Sequence, residues 1–243
     1  RVSYAWADQV VAQTRGAAEW IENRCRTAVL VIPNSLRALP EPVAQREPLI
    51  IAVGRLSKEK GFDVLLEAFA RVRARFPPWR VRIMGAGPEH DALADRINAL
   101  DLQERVELAG EVQDVEAWMA RAALMVHPSR REGFPNAVLE GMGMGLAVIC
   151  ADCRSGPSEL IADGVNGRLV AVDDVESLTR VMAQLMADAS LRERLGSEAM
   201  KVRHDYAPAA IMKKWEACIA PLAARNRNKS VPRANPASHK INL

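Results

Sequence analysis

Short, almost wholly apolar runs alternate with longer amphipathic stretches through most of this chain. The runs fall at Leu49–Val53, Val81–Met84, Val106–Ala109, Leu124–His127, Ala147–Cys150 and Gly167–Val170. Strands covered on both faces read this way, because neither side of the sheet has to meet water. Between them, helical spacing of apolar residues predicts helices near Phe62–Arg75, His90–Leu100, Val115–Ala122, Asn136–Met144 and Pro157–Ile161. Three more are expected at Val175–Asp188, Leu191–Arg203 and Pro208–Leu222, the last with Ile211, Trp215, Ile219 and Leu222 on one face. Strand–helix alternation of this kind predicts an α/β fold, a doubly wound parallel sheet with its ligand at the carboxyl ends of the strands. Ahead of it, residues 8–14 predict a short strand, Gly16–Arg24 a helix and Val29–Ile32 a second strand. A Pro/Glu-rich linker at Leu39–Pro48 follows.

Composition narrows the class. The chain has 243 residues, 49% of them hydrophobic, which is ample for a packed core. No stretch approaches the ~18 apolar residues of a membrane span. Arg1–Trp6 lacks the apolar segment and cleavage site of a signal peptide, and without an initiator Met the chain is expected to start inside a longer protein. The net charge of +3 is uneven: Arg225, Arg227, Lys229, Arg233 and Lys240 crowd the last residues without an acid, leaving 28 basic and 30 acidic residues elsewhere. Residues 223–243 are therefore expected to be a basic, disordered tail. The alternative for the tail is a peripheral contact with anionic lipid. No nucleic-acid partner is expected, since the tail's basic residues are not interleaved with aromatics. Cys25, Cys150, Cys153 and Cys218 make no disulfide framework, and the single CxxC pair has no second pair to complete a metal site. A reducing, cytoplasmic setting fits them, with Cys150 a buried strand residue.

The candidate chemistry concentrates in Glu132-Gly133-Phe134-Pro135-Asn136-Ala137-Val138-Leu139-Glu140. A strand leads into it and a helix is expected to start near Pro135, where a missing N–H costs nothing. The N–H groups of Asn136, Ala137 and Val138 would then face out of the helix end and offer a site for a phosphate. Glu140 follows among apolar neighbours, where a carboxylate needs hydrogen bonds that ribose hydroxyls could supply. Glu132 belongs to the preceding loop, because Gly133 and Pro135 break any shared helix. The plainer alternative pairs it with Arg130 or Arg131. After the first domain strand, Gly54 lets a ligand approach the backbone, while Arg55 and Lys60 can neutralise a pyrophosphate. Gly85-Ala86-Gly87-Pro88 fails the full G-x-G-x-x-G because His90 holds the last position, which argues against a nicotinamide or flavin enzyme. His127 is expected to pack at a strand end, and Ser158 and Glu159 to cap a helix.

These motifs resemble those of family 4 of the retaining glycosyltransferases, in the nucleotide-sugar-binding half of the GT-B fold. The resemblance runs over roughly residues 5–220. It is carried in order by Val31-Ile32-Pro33-Asn34, Val53–Gly61, Gly85–Pro88, Glu132–Glu140 and Ser155–Gly164, the last ending in Val165-Asn166-Gly167. It implies a Rossmann-like donor domain over residues 26–222, with residues 1–25 a remnant of an N-terminal acceptor domain otherwise missing. It implies a donor site of Gly54, Arg55, Lys60, Glu111, Val112, Phe134, Asn136, Ala137, Val138 and Glu140, with Glu132, Arg55 and Lys60 as the catalytic group. In such enzymes Glu132 would contact sugar hydroxyls rather than act as general base, and the leaving phosphate would help deprotonate the acceptor. No metal or other cofactor is implied. The partners would be a nucleotide-sugar donor, with UDP favoured, and a glycan or lipid-linked acceptor, in the cytoplasm or peripherally at the inner membrane face.

Departures from the family pattern are Ser35 for a usual glycine, Ala147 for a usual proline, and the run Gly141-Met142-Gly143-Met144-Gly145. Each helix-interior glycine costs roughly 1 kcal/mol relative to alanine, so the phosphate-facing helix is expected to be short or mobile. Two other readings stay open here: a nucleotide-binding fragment without turnover, and a sugar-nucleotide epimerase on the same fold.

Overall fold

A computed structural model describes residues 4, 7–43 and 45–229, with side-chain surroundings through residue 224. Two parallel sheets share the chain. The small one pairs β1 (Val10–Ala12) with β2 (Val29–Val31) across helix α1 (Arg15–Cys25). The large one holds β3 (Glu47–Val53), β4 (Arg80–Met84), β5 (Val106–Leu108), β6 (Ala122–His127), β7 (Ala147–Ala151) and β8 (Arg168–Val170). Its order is β5-β4-β3-β6-β7-β8, every neighbour parallel. The order reverses between β3 and β6, and at such a reversal the loops leaving the two strands diverge and open a crevice.

The strand pattern explains the layers. On β3, Ile50 and Ala52 face one core while Leu49 and Ile51 face the other; on β7, Ile149 and Cys150 divide the same way. The first layer is supplied by α2 (Phe62–Val72), α3 (His90–Ala99) and α7 (Val175–Ala187). The second is supplied by α4 (Val115–Arg121), α5 (Asn136–Gly143), the short α6 (Pro157–Leu160) and α9 (Val202–Asp205). Helix α8 (Ala189–Ala199) sends Leu195 to one core and Ala199 to the other. Among the described residues no helix is long and apolar enough to cross a membrane.

Three expectations change. Helix α5 is short, as its glycines imply, but its end is tied down: Gly143 O accepts from Arg203 Nε at 2.7 Å and Met144 O from Arg46 Nη2 at 2.5 Å. The glycines are also packing positions, since a Cβ on Gly141 would lie 2.4 Å from Met125 Sδ. The final helix α10 (Pro208–Lys229) runs past Leu222 and takes in the start of the expected tail, whose residues 230–243 lie outside the described residues. Its inward stripe is also rotated. Ile211 is buried and Trp215, Cys218 and Leu222 are half-buried, whereas Ile219 is 53% exposed.

Gly196, inside α8, sits where a Cβ would come within 2.1 Å of Gly145 O. Alanine there would gain about 1 kcal/mol of helix propensity but must push two backbones apart. Gly196→Ala is therefore expected to lower stability by about 1–3 kcal/mol net, read as a lower urea midpoint. An unchanged or higher midpoint would mean that α8 is free to shift.

Candidate functional site

Two loops meet in the crevice between β3 and β6. The first leaves Val53, passes Gly54 and Arg55, and tightens into a 3-10 turn at Lys58–Lys60 before α2. Gly61 ends that turn with φ 65°, and a Cβ on it would lie 2.1 Å from Pro128 O. Only glycine combines that left-handed conformation with so close an approach. The second loop leaves His127 and carries Pro128–Glu132 across the turn. Arg130 fastens the two. Its amide donates to Glu59 O at 2.7 Å, and its guanidinium donates to Lys58 O at 2.6 Å and to both carboxylate oxygens of Asp63, at 2.8 and 2.7 Å. A further bond at 2.6 Å reaches Asp173. Arg130 is thus committed to Asp63 and Asp173, not to Glu132.

Glu132 is taken by other partners. Its Oε1 accepts from Lys60 Nζ at 2.6 Å and lies 2.6 Å from His127 Nε2. Ser129 Oγ stands 3.1 Å from the same ring nitrogen. The Glu132 side chain is 7% exposed and that of His127 3%. Burial on its own would raise the Glu132 carboxyl, but the hydrogen bond and charge of His127 and the hydrogen bond of Lys60 outweigh it and hold the group down at about 2. His127 does close a strand end, as expected, yet it also completes a carboxylate–histidine pair that the sequence pattern did not reveal. Its buried Nδ1 has no hydrogen-bond partner among the described residues. A histidine five residues before a glutamate, with prolyl and glycyl turns around them, was the available signal.

The other expected residues are placed as follows. Arg55 is exposed; its carbonyl accepts from Ser57 N at 2.8 Å, and its side chain makes no hydrogen bond among the described residues. Gly54 lies under the Lys60 stem, where a Cβ on the glycine would sit 3.4 Å from Lys60 Cδ. The Gly85–Pro88 turn braces this first loop, with Leu56 N donating to Ala86 O at 2.9 Å and Glu89 N to Leu56 O at 2.9 Å. At the start of α5 the Asn136 amide already donates to Phe134 O at 2.9 Å, so only the Ala137 and Val138 N–H groups are left open there. The Phe134 side chain is buried in the second core, its ring 6.3 Å from that of Tyr206, and it holds the loop from below. Glu111 is exposed and Val112 half-buried in the β5–α4 loop. Glu140 is half-buried and bound at 2.8 Å by Arg37 Nε, a partner that sequence reasoning missed.

Ser158 and Glu159 do not cap α6, whose cap position is Gly156 with no side-chain bond. Glu159 reaches instead across the molecule to the start of α1, accepting from Arg15 N at 2.8 Å and Gly16 N at 3.4 Å. A carboxylate there satisfies open amides and meets the positive end of the helix. Gly156 (φ 97°) lets its own loop close on Pro135, where a Cβ would sit 2.5 Å from Pro135 Cδ.

Residues 11–202 match the family described as Glycosyl transferases group 1. The chain belongs to that family. Among curated relatives, an exopolysaccharide phosphotransferase of Streptomyces coelicolor is 33% identical over 96% of this chain and 26% of its own length. The amylovoran biosynthesis glycosyltransferase AmsD of Erwinia amylovora is 31% identical over 75% of this chain and 51% of its own. The chain thus spans between a quarter and about half of these two relatives. Solved GT-B structures share the fold: S. aureus TarM superposes with a TM-score of 0.81 at 24% identity, over 85% of this chain and 43% of that one. Anabaena HepE gives 0.81 at 22%, over 90% and 65%.

The depressed Glu132 carboxyl has a stability consequence. Its ordinary value is 4.5 and its folded value about 2, so the stabilisation is full above pH 4.5 and is lost as pH falls through 2. The shift corresponds to about 3 kcal/mol. Urea unfolding of the native chain and Glu132→Gln should show a gap at pH 6 that narrows by that order toward pH 2. A gap independent of pH would sink this reading of the ion pair.

Proposed function

We propose that this chain is the donor-binding domain of a retaining glycosyltransferase, which transfers a sugar from a nucleoside diphosphate, UDP in preference, to an acceptor hydroxyl in polysaccharide or lipid-linked glycan assembly. One observation carries the reading: a buried carboxylate held ionised by Lys60 and His127, at the point where the sheet order reverses and beside the open amides of α5. Positive groups converge there on the place a diphosphate would occupy. Lys60 has three N–H donors and spends one on Glu132. Arg55 is unengaged, and the Ala137 and Val138 amides lie at a helix N-terminus.

Charge builds on the leaving diphosphate as the glycosidic bond breaks. Groups already in place stabilise that transition state more than the ground state. Because these cations and amides supply the neutralising charge, the proposed site needs no metal. Glu132 suits the sugar side. A carboxyl near 2 is a feeble base at neutral pH, so it stabilises positive charge at the reacting carbon and binds hydroxyls. The acceptor oxygen then bonds to the anomeric carbon on the face that the diphosphate leaves, which gives retention, and its proton goes to an oxygen of the leaving diphosphate. Solved relatives of similar fold were crystallised with UDP, among them S. aureus TarM and Anabaena HepE. Curated relatives include a lipopolysaccharide core biosynthesis mannosyltransferase and an N-acetylgalactosaminyltransferase named for a diphospho-undecaprenol-linked glycan. These names support the substrate class proposed here, and a cytoplasmic setting is proposed with it.

Thermal unfolding with UDP, GDP or ADP, EDTA being present throughout, tests the donor site. UDP at a hundredfold excess over its dissociation constant is expected to stabilise the chain by ~2.7 kcal/mol, and Glu140→Ala to abolish the shift. A chain indifferent to every nucleotide would rule the donor site out. A shift that appears only when EDTA is omitted would rule out the metal-free form.

A further inference from the structure

The segment joining the two sheets lies along the face of α5 that bears the proposed donor contacts. Asn136 and Glu140 are four residues apart on that helix and so share a face. Each is held by a side chain of the joining segment: Asn34 Nδ2 donates to Asn136 Oδ1 at 2.9 Å, and Arg37 Nε to Glu140 Oε1 at 2.8 Å. Asn34 is itself fixed by Gln13 Nε2 at 2.7 Å. Between them Leu36 is buried, and its amide donates to Tyr206 O at 2.7 Å. Arg37 therefore leaves a backbone that is pinned just ahead of it.

Its guanidinium does not stop at Glu140. Nη1 also binds Glu116 Oε1, on α4 just after the Glu111–Val112 loop. Two carboxylates, 20% and 22% exposed, thus share one cation, and neither has another cationic partner among the described residues. The planar fork of arginine can span them in fixed geometry, which an ammonium cannot do. A lone surface ion pair would mean little. This one binds the very residue assigned to ribose, engages only its Oε1, and cancels one of two negative charges beside the path of an anionic ligand.

We infer that Arg37 is a positioning residue for nucleoside diphosphate binding, aiming the Glu140 carboxylate at the ribose hydroxyls while holding Glu116 in check. The inference rests on the proposed donor site and adds to it a residue from outside the large sheet. It also separates two halves of the ligand: the nucleoside end depends on Arg37, whereas the diphosphate end depends on Lys60, Arg55 and the α5 amides.

Isothermal titration of this chain with UDP and with inorganic pyrophosphate decides it, using the native chain, Arg37→Ala, Arg37→Lys, Glu140→Ala and the Arg37→Ala/Glu140→Ala double variant. Arg37→Ala is expected to weaken UDP about tenfold while changing pyrophosphate less than about threefold. Arg37→Lys should recover only part of the loss. Arg37→Ala should cost less UDP affinity on the Glu140→Ala background than on the native chain, because Arg37 acts in large part through that carboxylate. Arg37→Gln serves as a second variant should the alanine form not fold. UDP affinity within about twofold of native in Arg37→Ala overturns the inference and leaves the donor site standing. So does an equal loss for both ligands, or tighter UDP, which would make Arg37 a plug. A native chain that binds no UDP overturns the donor site and the inference together.

Discussion

The crevice is organised around one carboxylate oxygen. Glu132 Oε1 takes both the Lys60 ammonium and the His127 ring nitrogen, and those residues come from opposite sides of the reversal in strand order. A buried carboxylate is expensive to desolvate and becomes tolerable only when its hydrogen bonds are in place. The surrounding loops are therefore built to deliver two donors to one point. Gly61 gives up its side chain so that the Lys60 turn can reach Pro128, and Arg130 ties that turn to its neighbour through Lys58 and Asp63. Removing one donor would leave a partly uncompensated charge at low exposure, which is far costlier than losing a surface pair.

The same oxygen bears on how the proposed donor site, already balanced in charge, would receive an anion. A half-buried lysine paired with a glutamate would be useless to a phosphate if the two had to separate completely. Lys60, with two donors to spare, can bridge carboxylate and phosphate at once. His127 keeps Glu132 occupied through any shift of the ammonium. The Arg55 side chain is exposed and makes no hydrogen bond among the described residues, so in the proposed site it would meet the incoming charge before Lys60 adjusts.

Much of this architecture was legible from the chain's apolar rhythm. Buried strands such as Leu124–His127 and Ala147–Cys150 appear within about two residues of their observed ends, because burial on both faces leaves no room for polar residues. The position of Glu132 in a loop followed from Gly133 and Pro135. What remained hidden was the choice of partner. Nothing local says that Arg130 should prefer Asp63 and Asp173 to Glu132, or that Glu140 should find Arg37, 103 residues earlier. Glu159 looks like the cap of its own helix and instead caps α1, 143 residues or more away in sequence. Charged residues are interchangeable to a pattern, and only the packed fold decides which ones meet. The Asn136 amide shows the same limit at backbone level, since its bond to Phe134 O depends on how Pro135 turns the chain.

Those long-range pairs bear on how the two sheets work as a unit. The small sheet touches the large domain through polar contacts placed next to the crevice: Asn34 on Asn136, Glu159 on the first turn of α1, and Gln13 behind Asn34. Gly16 is pressed so close to the Arg154–Ser155 backbone that a Cβ would lie 2.8 Å from Arg154 O. Had these contacts been apolar, the two units would be joined by a force without direction, and a rotation between them would leave the donor residues unmoved. Hydrogen bonds are directional, and here they end on α5 and on the loop that closes over Pro135. In the proposed function, a ligand that reorients Asn136 would alter the bond to Asn34. The proposed donor site and the small sheet thus share the first turn of one short helix, whose far end is held by Arg46 and Arg203.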